Sequence, residues 1–270
     1  MNDRAVDYNT IRDRRSFFSY EPNVPAHRAF LEAILAAPEQ DAPRLVYADW
    51  LEERGDPRGQ FIRLQIAADR CARQSHERHE LEAQARALLD EYEEEWIGDI
   101  LRNKARSWFR RGFVEKIIVP AMYLQTYAGR IWDREPVVSV EIRELNNYAS
   151  AIATLPELKY LRRLSFGIGS IDDEAILPLV ERAQFGPLEV FTAWHGKLGD
   201  ESAIVIANSP MARRLRILDL SNNLIQSRGG QALARSPYLQ HIQSIRLYRN
   251  RIGIEAAEEL RARFGSRLTL

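Results

Sequence analysis

From Leu161 to Ile252, apolar residues return at a fixed spacing. Leu161, Leu164, Phe166 and Ile171 are followed 27 positions later by Leu188, Phe191, Ala193 and Leu198. The next steps of 27 reach Leu215, Leu218, Leu220 and Ile225, then Ile242, Ile245, Leu247 and Ile252. Within a unit, two apolar residues two apart, such as Leu218 and Leu220, fit the inward face of a short strand, and Asp219 between them faces the other way. Two looser frames come first: Val114, Ile117, Val119, Met122 and Leu124, then Val137, Val140, Ile142, Leu145 and Asn147. The second half of each 27-residue unit reads as a helix, beginning near Asp173, Asp200, Gly229 and Glu255. Asn223 stands where the chain leaves a strand, and its amide can serve backbone groups of the turn and of the neighbouring unit. Glycines at 169 and 196 take the place of that asparagine upstream.

Before residue 100 the period is that of helices. Phe30, Leu31, Ile34 and Leu35 line one face and end at Pro38. Leu45, Val46, Trp50 and Leu51 line the next, which Gly55-Asp56-Pro57 stops. Phe61, Ile62, Leu64 and Ile66 restart the spacing. A long charged helix is expected over 77–96, with Leu81, Leu88, Leu89 and Tyr92 as its buried stripe. These patterns divide the chain into a polar arm over 1–24, a helical domain over 25–110 and an α/β domain over 111–270.

Two resemblances sharpen this picture. The stretch LRILDLSNNLI, Leu215–Ile225, resembles a leucine-rich repeat, and the strand-plus-helix unit is similar to the ribonuclease-inhibitor type. The stretch from Phe30 to Gln65, with APRLVYADWLEE and GDPRGQFIRLQ, resembles the bacterial repeat-companion domain, a helical module attached to repeats; Gln60 departs from that family's usual glutamate. Together they imply a curved solenoid of about six coils, with parallel strands on a concave face and helices on the convex one, preceded by an all-helical capping domain. The companion family implies no reaction. Asp49, Arg58 and Arg63 would be its ligand site if it had one, whereas pairing among Asp49, Glu52, Glu53 and the nearby arginines explains them structurally.

Charge and composition narrow the function classes. Lysine plus arginine and aspartate plus glutamate are equal at 38 each, which argues against a generic nucleic-acid or membrane binder. Residues 201–270 nevertheless carry eleven arginines against five acidic residues, so Arg213, Arg214, Arg249, Arg251, Arg261 and Arg263 are candidates for an acidic partner. The single cysteine, Cys71, allows no intrachain disulfide. His76 and His79 lack a third ligand, and neither a phosphate loop nor a catalytic constellation is evident, so no metal, cofactor or enzymatic activity is expected. The first residues lack a signal-peptide core, and no run approaches the length of a membrane span, so a soluble cytoplasmic protein is expected; the sequence leaves the oligomeric state open, with a monomer favoured.

Function is therefore expected to be recognition of a protein partner through the concave face. Strand alternation puts Arg143, Arg163, Trp194, Asp219, Arg246 and Tyr248 there, with Trp194 and Tyr248 flanking a partner element around Asp219. The alternatives are a scaffold whose helical domain makes the contact, or an enzyme with its site among those helices.

Overall fold

A computed structural model describes residues 25–169 and 171–270. The arm expected over 1–24, with its aromatic residues Phe17, Phe18 and Tyr20, lies outside the described residues. The chain forms two compact units; the first takes its described residues up to Gly98 together with Arg110–Gly112, and the second takes Asp99–Phe109 and Phe113–Leu270.

The first unit is helical: α1 (Pro25–Ala36), α2 (Ala42–Glu52), α3 (Arg58–Arg70) and the greater part of α4 (His76–Lys104), which breaks at Gly98 with φ 63°. Pro43 starts α2, where a missing N–H costs nothing, and Asp56 accepts from the Arg58 N–H at 2.8 Å to start α3. Leu31, Ile34, Tyr47, Leu51, Phe61 and Ile62 form the core, with Phe30 stacked on Tyr47 at 4.7 Å and Phe61 against Trp96 at 4.9 Å. Gly59 lets α2 and α3 approach closely, because a Cβ there would lie 2.7 Å from the Ala48 carbonyl.

Apolar pattern alone misplaces some residues here. Val46 is exposed, and the long helix buries Ala85, Trp96 and Ile97 while Leu81, Leu88, Leu89 and Tyr92 stay part-exposed. Arg44 and Arg58 are fully buried because carbonyls serve them: Arg44 donates to Gln40 O at 2.9 Å, and Arg58 to Gly112 O at 3.2 Å. Arg111 likewise donates to the carbonyls of Pro38 (2.6 Å) and Glu39 (3.1 Å), just past the end of α1. Arg63 instead sits at the surface with Asp49 and Glu52, so Arg58 and Arg63 form no common ligand site.

Burial pushes the Asp56 carboxyl up, and the hydrogen bond and charge of Arg58 offset only part of that. A carboxyl whose folded pKa is raised contributes stability that is fully present below its unfolded value and is lost as pH rises through the folded one. At neutral pH the desolvated carboxylate is therefore a net cost. Asp56→Asn keeps an oxygen for the Arg58 N–H and is expected to raise the urea midpoint at pH 7. The gain should shrink as pH falls below the folded pKa; a lower midpoint at pH 7 would contradict this.

The second unit is an eight-stranded sheet in the order β1 (Arg106–Arg110), β2 (Phe113–Pro120), β3 (Ser139–Arg143), β4 (Arg163–Phe166), β5 (Val190–Thr192), β6 (Ile217–Asp219), β7 (Ser244–Arg246) and β8 (Leu268–Thr269). Arg111 and Gly112 both have positive φ, 48° and 89°, as a tight two-residue turn from β1 back into β2 requires. From β2 to β8 every pair is parallel. The helices α5 (Ala121–Trp132), α6 (Ala149–Ile152), α7 (Asp173–Arg182), α8 (Asp200–Asn208), α9 (Ser227–Arg235) and α10 (Ile254–Phe264) connect them. Leu164, Phe191, Leu218 and Ile245 meet in register and are fully buried, so successive strands stand 27 residues apart.

Side-chain hydrogen bonds tie one unit of the pattern to the next. Asn223 Oδ1 accepts from Leu198 N at 3.1 Å, and its Nδ2 donates to the carbonyls of Ala193, Leu220 and Ser221. Asn250 repeats the arrangement on Ile225 N and on the carbonyls of Leu220 and Leu247. Gly196 leaves room for this, since a Cβ there would come within 2.9 Å of Asn223 Oδ1. On the helical side, Asp173 accepts from Gly199 N (2.8 Å), Asp200 from Gln226 N (2.7 Å), and Ser227 Oγ from Gly253 N (3.0 Å).

The expected curved leucine-rich-repeat solenoid is corrected by this sheet, which is open and uncurled. Curvature in a strand–helix array comes from the mismatch between strands about 4.8 Å apart and helices about 8–10 Å apart. Here the facing helical positions are small: Ser202, Ala203, Gly229, Gly230, Ala256 and Ala257. A Cβ at Gly229 would already meet Asp200 Oδ1 at 2.6 Å and Ala203 Cβ at 2.9 Å. Close helix approach of this kind reduces the mismatch that would curl the sheet.

Candidate anion-binding cleft

The residue just before each of four successive strands forms a second column at the same period. Arg162, Glu189, Arg216 and Gln243 precede β4, β5, β6 and β7. Their backbones are laced together: Glu189 N donates to Arg162 O (2.8 Å), Arg216 N to Glu189 O (2.8 Å) and Gln243 N to Arg216 O (2.7 Å). The ladder fixes the spacing, so four long polar side chains leave the strand-entry edge of the sheet side by side.

Short 3₁₀ turns bring the other groups. Ser209 Oγ accepts from Met211 N and starts the turn Pro210–Arg214, which carries Arg213 and Arg214; the turn Leu239–His241 brings His241. With Pro187, these residues and the column line an open cleft of about 460 Å³. Four arginines face one glutamate there, an excess of three positive charges before His241 is counted.

The one carboxylate is already engaged. Glu189 Oε1 accepts from Arg162 Nη1 at 2.8 Å, and its Oε2 lies 3.8 Å from Arg216 Nε. Arg162 is mostly buried, and its Nε–H, closed to solvent, has no acceptor among the described residues. Arg216 is more than half exposed, and Arg213, exposed, lies over the Tyr238 ring at 5.6 Å. Guanidinium forks held in this way can bind carboxylate or phosphate oxygens in pairs. The cleft offers no aromatic face except His241 on which a base could stack.

The strand-facing residues expected from alternation lie elsewhere, and none of them lines the cleft. Asp219 and Arg246 stand in register on β6 and β7, with Nη1 3.4 Å from Oδ2, and Asp219 also accepts from Ser221 N. Arg143 sits 3.5 Å from Glu141 on its own strand. Arg163 is exposed, in register with Ser139 and Val190. Trp194 is exposed beside the strand exit, edge-on to His195 at 5.9 Å, and Tyr248 is part-buried, its carbonyl accepting from Asn222 N. Recognition through a concave face is corrected here, because an uncurled sheet does not gather these residues around a concavity.

Of the basic residues singled out from composition, Arg213 and Arg214 enter the cleft, while Arg263 donates to Ser236 O at 2.6 Å. Arg162, Glu189, Arg216, His241 and Gln243 were missed. For Arg162, Glu189, Arg216 and Gln243 the signal was the same step of 27, read one position before each strand rather than within it.

Burial, and after it Glu77, push the Cys71 thiol up, so it is poorly suited to act as a thiolate nucleophile. Among the described residues no three His, Cys, Asp or Glu side chains are grouped to hold a metal ion, and no helix is long and apolar enough to cross a membrane. No protein-family model and no curated protein matches the chain. The likeness of Phe30–Gln65 to the repeat-companion domain, and that of Leu215–Ile225 to the leucine-rich repeats, is corrected accordingly. What the first motif holds in place is structural: buried Arg44 and Arg58, the Gly59 crossing, and the surface pairs of Arg63.

Proposed function

We propose that the protein is a non-catalytic binding module that takes an acidic segment of a protein partner in the arginine cleft. The observation that carries this reading is the column Arg162–Glu189–Arg216–Gln243 with Arg213 and Arg214 beside it: cations fixed by backbone register, outnumbering the single carboxylate among them. Preset spacing lowers the ordering cost of binding, and the charge excess favours encounter with an acidic chain. With His241 as the single ring among the cleft's lining residues, a single-stranded nucleic acid, which needs successive stacking platforms, is disfavoured as the occupant.

Calorimetric titration with a glutamate-rich peptide tests this. The full chain is expected to bind, and Arg213→Ala, Arg214→Ala and Arg216→Ala together should weaken binding by about 30-fold, from roughly 0.7 kcal/mol for each exposed charge contact. Unchanged affinity in the triple variant, with its urea midpoint intact, would overturn the reading.

A further inference from the structure

We infer that the group seated in the cleft is a phosphorylated side chain within that acidic segment; the inference rests on the reading just given. The site already contains a carboxylate. Glu189 is tethered by the backbone between Arg162 and Arg216, and a glutamate arriving on a partner brings the same charge without that tether. It cannot readily displace Glu189, and it leaves Arg213 and Arg214 to be satisfied separately.

A phosphoryl group is a different competitor. It carries about −1.5 to −2 charges and three acceptor oxygens, enough to engage several guanidinium forks at once. Arg162 lines the cleft with Nη1 given to Glu189 and Nε closed to solvent, so it contributes charge, and phosphate oxygens are met by the exposed arginines beside it. Arg213, Arg214 and Arg216 supply the exposed donors, and His241 lines the same cleft. An excess of three positive charges matches a dianion flanked by a further acidic residue.

The test uses three fluorescein-labelled peptides that share acidic flanks and differ at one central residue: serine, glutamate or phosphoserine. Anisotropy titration of the full chain should show the phosphoserine peptide binding about tenfold tighter than the glutamate one. Glu189→Gln, which removes the internal competitor, should narrow that gap by raising the affinity of the glutamate peptide. Inorganic phosphate should displace the phosphopeptide only in large excess, because it lacks the flanks. Equal affinity for the glutamate and phosphoserine peptides would overturn the inference and leave the acidic-segment reading standing. Failure of all three to bind would overturn both. Inorganic phosphate competing as well as the phosphopeptide would overturn the inference in favour of a small phosphate ligand.

Discussion

Asn223→Ala is expected to lower the stability of the strand-bearing unit by about 4 kcal/mol. The side chain makes four hydrogen bonds, but they do not count equally. Leu220 O keeps a second donor in Asn250 Nδ2, and Ser221 O keeps the His195 N–H. Leu198 N and Ala193 O lose a buried partner outright, at about 1–3 kcal/mol each. Asn223→Asp should also destabilise, since it retains the acceptor for Leu198 N but gives up the donors and buries a charge. Urea denaturation of the full chain, followed by far-ultraviolet circular dichroism, measures both. A loss below about 1 kcal/mol for the alanine variant would mean that the stacked turns hold without their asparagine.

Phe191→Ala should cost a comparable amount, about 3–5 kcal/mol, because the ring is fully buried and the neighbouring strands cannot collapse onto the space. It meets Leu164 and Leu218 in register and packs edge-on against Phe166, 5.6 Å away at 62°. Phe191→Leu restores most of the volume and should cost about 1–2 kcal/mol. The same denaturation experiment separates them; equal losses for both variants would show that ring volume is not what the strand register depends on.

Periodicity made much of the second unit legible. A step of 27 in apolar residues predicted which side chains share the buried face, and Asn223 could be assigned its turn from its place after Leu220. The shape of the array was not legible in that period. Curl depends on how closely helices approach, which is decided by Ala203, Gly229 and Ala256 on the opposite side from the motif. In the helical unit, polarity misled in the other direction. The arginines near Asp49, Glu52 and Glu53 read as partners for those carboxylates, yet Arg44 and Arg58 are buried where backbone carbonyls supply acceptors, a circumstance that only the folded chain creates.

The candidate site was half legible for a similar reason. Arg213 and Arg214 stand out as part of a basic excess, but the hydrophobic periodicity does not join them to Arg162 and Arg216. A strand-entry residue belongs to no apolar pattern, so its repetition carries meaning only once the parallel register places four of them together.

The most direct measurement of the central claim is a charge exchange in the cleft. Full-length wild type and the Arg213→Glu, Arg214→Glu, Arg216→Glu variant are each titrated with a glutamate-rich and a lysine-rich peptide, at about 50 and about 200 mM salt. Wild type is expected to take the acidic peptide, more weakly at the higher salt, and the variant to lose it and take the basic one. Wild type and variant binding the acidic peptide with the same affinity would contradict the claim.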